Sequence, residues 1–139
     1  MIYGNDPVHY RRFFCEVWRK HRAGTALEPL EGMVAHIIAA HPEYHGLLDD
    51  PDVLDQDYTP ESGRGNPFLH MGLHIAILEQ LAADRPSGIR DIYRQLTQRG
   101  DPHDVEHRMA DCLAEGIWEA QRNGTAPDES AYLERLRAL

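Results

Sequence analysis

Residues 66–80 read NPFLHMGLHIAILEQ, and whether this apolar run is helix or strand decides the class of fold. Asn66 before Pro67 is the order expected of an N-cap and a first helical residue. The Asn66 amide oxygen takes a backbone N–H that the helix cannot use, and proline at the next position has no N–H to satisfy. Beyond it, His70, His74, Ile77 and Leu81 recur at helical spacing and no strict alternation appears. The spacing therefore predicts a helix from Pro67 to about Asp84, stopped before Pro86. It also places two histidines one turn apart on the inward face.

The same punctuation recurs along the chain as Asp6-Pro7, Glu28-Pro29 and Asp101-Pro102, each predicting a helix start. The first helix runs from Pro7 to about Ala23, with Phe13, Phe14, Val17 and Trp18 as its apolar stripe and Gly24 as its stop. The second runs from Pro29 towards Ala40, where Pro42 forces a kink or a restart and leaves His41 as a cap-like residue. A fourth follows Ser87 and closes at Arg99-Gly100. The fifth, from Pro102 to about Arg122, carries Val105, Met109, Leu113, Ile117 and Ala120 and ends at Asn123-Gly124. The last lies within APDESAYLERLRAL, residues 126–139. With no β-branched run and no repeat, the fold class is all-α: a single-domain antiparallel bundle of five to six helices over residues 1–139, with an irregular acidic loop at about 46–65.

A chain of 139 residues buries about two thirds of its unfolded surface and supports a real core. Its formal charge of −9 argues against affinity for nucleic acid or anionic membrane, both of which need clustered Lys and Arg. No apolar run approaches the roughly 18 residues that span a bilayer, and MIYGNDPVHYRRFF has no continuous apolar segment, so the expectation is a cytoplasmic protein. The two cysteines, Cys15 and Cys112, make no C-x-x-C motif and read as small buried thiols.

Six of the nine histidines stand in pairs at one spacing: His41 and His45 in HPEYH, His70 and His74, and His103 and His107 in HDVEH. Random placement would give about half such a pair, so the pattern asks for a cause. On a helix, residues four apart share a face, and two imidazoles per helix is how bundles build metal sites. In the fifth helix His103, His107 and Asp111 form a ladder on one face, with Glu106 beside it as a second carboxylate. Neutral imidazole favours zinc, iron, copper or nickel, whereas added carboxylates turn the preference towards iron or manganese. HDVEH also matches the H-x-x-E-H of inverted zinc peptidases, but a peptidase needs a further ligand and a larger body. His9, His21 and His36 read as ordinary surface or core residues, GRGNP lacks the ending of a phosphate loop, and Cys112 lies on a different helix face from His107.

Through LEPLEGM, HPEYH, NPFLHMGLHIAI, GDPHDVEH and PDESAYL, nearly the whole chain resembles a bacterial family known as domain of unknown function 1841. That resemblance supplies no activity. More loosely, the pairs His70/His74 and His103/His107 are similar to the H-x-x-x-H helices of hemerythrin-like bundles that hold iron or another transition metal. Where that pattern has H-x-x-x-E, HPEYH supplies His45, so the likeness does not extend to a carboxylate-bridged di-iron centre.

The expectation is a small helical bundle holding one or two transition-metal ions, iron or zinc first and manganese or copper next, through His41, His45, His70, His74, His103 and His107, with Glu106 and Asp111 in support. Whether such a site performs redox, oxygen or hydrolytic chemistry is not written in these residues, and a protein partner or homo-oligomer is left open. The competing expectation is a non-catalytic interaction module with structural histidines, no metal, and the acidic stretch Asp49 to Glu61 as its partner surface.

Overall fold

A computed structural model of the chain describes residues 7–50 and 66–139. The cap expected at Asp6 and the acidic stretch from 51 to 65 lie outside the described residues. Every regular element described is helical: α1 (Pro7–Arg22), α2 (Pro29–Ala39), a single 3-10 turn (Pro42–Tyr44), α3 (His45–Leu48), α4 (Pro67–Ala83), α5 (Ile89–Thr97), α6 (Pro102–Asn123) and α7 (Glu129–Arg137). The all-α class is as expected. The six helices read from the sequence are all present, and α3 is the addition.

Local chemistry sets the boundaries. Asn66 Oδ1 accepts the N–H groups of Phe68 (3.0 Å) and Leu69 (3.1 Å) to open α4. Asp101 Oδ2 does the same for His103 (3.1 Å) and Asp104 (3.3 Å) at α6, and Asp128 Oδ1 for Ala131 (3.1 Å) at α7. Glu31 reaches back to the N–H of Glu28 at 3.0 Å, one arm of a capping box at α2. Gly24 ends α1 in the left-handed region at φ 71°, with the Thr25 N–H bonded to the Lys20 carbonyl at 3.0 Å. Replacing Asp101 with alanine is expected to lower stability by about 1 kcal/mol, and Asp101→Asn to restore most of it, read from urea midpoints; equal midpoints for wild type and Asp101→Ala would remove the cap from the account.

The described residues divide into two compact units, Met1–Ile75 and Ala76–Leu139. In the first, α1 packs on α2 and α3. Its core is Phe14, Val17, Trp18, Val34, Ile37, Ile38, Leu48, Phe68, Met71 and Ile75. The Phe14 and Phe68 rings meet edge to face, centroids 5.7 Å apart, tying the start of α4 to α1. A half-buried ion pair between Lys20 and Glu31 (2.8 Å) links α1 to α2.

In the second unit α5, α6 and α7 pack mutually around Ile89, Ile92, Leu96, Val105, Met109 and Leu136. The Tyr132 hydroxyl donates to Gln80 Oε1 at 2.7 Å, and its burial pushes the phenol well above its ordinary range. Leu113 and Ile117, read as core from their spacing, are only half-buried. They line a cavity of about 610 Å3 together with Gln80, Pro86 and Tyr132, and none of the paired histidines borders it.

Candidate metal centre

Pro42 builds the first part of the site by breaking a helix. It has no N–H, so the carbonyl four residues earlier, that of Ile38, loses its helical donor and α2 stops at Ala39. The chain restarts as a 3-10 turn with His41 as its cap residue, at φ −125° and ψ 69°. In that non-helical conformation the His41 side chain reaches the end of α2, where its Nδ1–H donates to the Ile37 carbonyl at 2.7 Å. The bond fixes the tautomer, with the lone pair on Nε2, as carbonyl-anchored ligand histidines have it.

Helix α4 supplies the other two rings. His70 and His74, one turn apart, bring their Nε2 atoms to 3.2 Å. Ring centroids of His41 lie 5.1 Å from His70 and 4.7 Å from His74, and the His70 and His74 centroids are 4.7 Å apart. One ring nitrogen from each of the three falls within 4.8 Å of those of the other two. His41 and His74 are 2% and 1% exposed, and His70 is half-buried. Tyr44 lies parallel to His41, centroids 5.6 Å apart, and edge-on to His70 at 6.3 Å. Burial, and then the nearby Glu43 carboxylate, raise the Tyr44 phenol. No signal in the sequence pointed to this aromatic wall.

Within the first unit the structure brings these three expected ligands together, and His45 is not in the group. His45 lies on α3, where its Nε2–H donates to the Ile38 carbonyl at 2.8 Å and its ring rests on Trp18, centroids 4.3 Å apart. HPEYH is thus not one face of one helix, because the proline inside it turns the chain between the two rings. His103 and His107 belong to α6 in the second unit, their rings 4.3 Å apart, with His107 Nδ1–H donating to the His103 carbonyl at 3.1 Å. His103 and Asp111 are exposed and Glu106 and His107 half-buried, while Trp118, further along the same face, is 57% exposed. His21 and His36 are exposed. Both thiols are free, and burial raises each of them, which keeps them protonated and poor nucleophiles.

A family model for a domain of unknown function, DUF1841, matches residues 6–138, a span that includes all three paired-histidine motifs. The chain belongs to the DUF1841 family. No curated protein and no solved structure matches it. Within this DUF1841 chain no described helix is long and apolar enough to cross a membrane.

Proposed function

We propose that His41, His70 and His74 hold a transition-metal ion, zinc in the first instance. The observation that carries this reading is the 3.2 Å separation of the His70 and His74 Nε2 atoms. Two nitrogens bound to one tetrahedral zinc at about 2.0–2.1 Å stand about 3.3 Å apart. A shared proton also accounts for a close pair, but it joins two nitrogens, and a third imidazole oriented through its own Nδ1–H is the arrangement of a ligand set. The donor chemistry agrees. Imidazoles with no carboxylate in the group suit zinc, copper or iron(II) better than magnesium or calcium, and they give no bridge for a di-iron centre. Bound there, the ion would act as a structural pin or a Lewis acid.

His103, His107, Glu106 and Asp111 stay candidate ligands from the sequence, and a His107→Ala variant tests the second of them. The test is elemental analysis of untagged protein purified without chelator, with His74→Ala and His107→Ala alongside. About one ion per chain, lost from His74→Ala, is expected; loss from His107→Ala as well would add that residue to the set. Protein that folds metal-free and takes up no zinc, copper or iron on titration would overturn the reading and leave the interaction module.

Acid should dissect the site in a set direction. Ligand imidazoles bind only when deprotonated, so the metal's contribution to stability is present above the ordinary histidine range, about pH 6.5, and is lost as pH falls below about 6. Melting temperatures from pH 5 to 8, with and without chelator, are expected to converge at the acid end. Curves that stay parallel throughout would count against imidazole ligation.

A further inference from the structure

We propose that His45 is a positioning residue that holds His41 in place, not a ligand itself; this rests on the metal reading above. Pro42 lacks the backbone donor that would continue α2. In an unbroken helix the Ile37 and Ile38 carbonyls would accept the N–H groups of residues 41 and 42. Here the His41 N–H goes to Ile38 at 3.0 Å, one residue short of the helical partner. The Ile37 carbonyl takes the His41 ring at 2.7 Å, and the Ile38 carbonyl takes the His45 ring at 2.8 Å. Two histidine side chains therefore satisfy consecutive carbonyls at the broken end of α2.

His45 is the outer clamp of this turn. Its Nε2 is committed to Ile38, and its ring packs on Trp18 of α1, which is 8% exposed. The residues that set the angle of His41 are thus gripped at both ends, at Ile37 and at Ile38, before any metal arrives. Without the His45 donor, the Ile38 carbonyl keeps only short-range backbone bonds from the N–H groups of Ala40 and His41, and the turn that aims the His41 ring is free to reopen. Partners that orient a ligand in this way ordinarily change metal affinity by about 10- to 100-fold.

Cobalt(II), whose visible bands report ligand number and type, is the probe, added to full-length wild type, His45→Ala, His45→Gln and His74→Ala. The glutamine amide offers an N–H near the place of Nε2. Expected are a loss of about 10-fold or more in cobalt affinity for His45→Ala with the wild-type band pattern kept, recovery to within about 3-fold in His45→Gln, and an altered spectrum or no binding in His74→Ala. An altered spectrum in His45→Ala that glutamine does not rescue would make His45 a ligand, and unchanged affinity would remove it from the site; either overturns the proposal. A second readout separates the two readings. The ring nitrogen resonances of His41 in metal-free protein are expected to report an Nδ1–H tautomer in wild type and His45→Gln and a mixture in His45→Ala. Wild type that binds no cobalt defeats the metal reading, while the His41 resonances still decide whether His45 positions that ring: identical His41 resonances in wild type and His45→Ala would overturn the positioning role.

Discussion

His74→Ala is expected to release the bound metal and, with it, the stability that the metal confers. An ion held at about 1,000 times its dissociation constant stabilises by about 4 kcal/mol, on the order of 10 °C in Tm for a chain of this size. The expected pattern is differential. Chelator lowers the wild-type Tm by roughly that amount and leaves His74→Ala almost unmoved, because the variant has no ion to lose. In chelator the two proteins still differ by a local effect, since His74 is 1% exposed and its replacement leaves a hole beside the His41 and His70 rings. Calorimetry of both proteins with and without chelator reads the result. A chelator-induced shift of the same size in both would show that the stabilising ion is bound without His74.

Phe14→Ala is expected to be nearly as severe by a route that needs no metal. The ring is fully buried, and it meets Phe68, 1% exposed, edge to face at 5.7 Å. Truncating a buried phenylalanine costs about 3–5 kcal/mol, against a total stability of about 5–15 kcal/mol for an ordinary domain. Phe68 sits on the first turn of α4, two residues before His70, so the loss loosens the helix that presents two of the three rings. The unfolding free energy of chelated protein, read from urea titration, should fall by that amount, and zinc affinity should fall with it. A destabilisation under about 1 kcal/mol would mean that the Phe14 contact does little to anchor α4.

Contacts within a few residues explain how much of the fold was readable from one chain. Asn66, Asp101 and Asp128 cap helices through side-chain bonds that reach two or three residues, and Gly24 and Gly124 end them in the left-handed region. Each needs no distant partner. The short helix α3 was less legible because it is four residues long and is held by His45 against Trp18, a contact across 27 positions of the sequence. Leu113 and Ile117 have the spacing of core residues, yet no described neighbour fills the space beside them. A helical stripe states which side chains share a face; the packed neighbours decide which of them are covered.

The candidate site divides along the same line. Residue spacing by itself determined that His70 and His74 share a face of one helix, because one turn of α-helix brings positions four apart together. It also determined that Pro42 breaks the second helix, because proline has no donor and restricts the residue before it. Only the tertiary structure decided that His41 meets His70 and His74 while His45 turns to the Ile38 carbonyl and Trp18. Equal spacing made the two look equivalent. The difference arises after Pro42 turns the chain, when the His41 ring reaches the Ile37 carbonyl and the His45 ring the Ile38 carbonyl, and the packing of α1, α2 and α4 determines what lies beyond each.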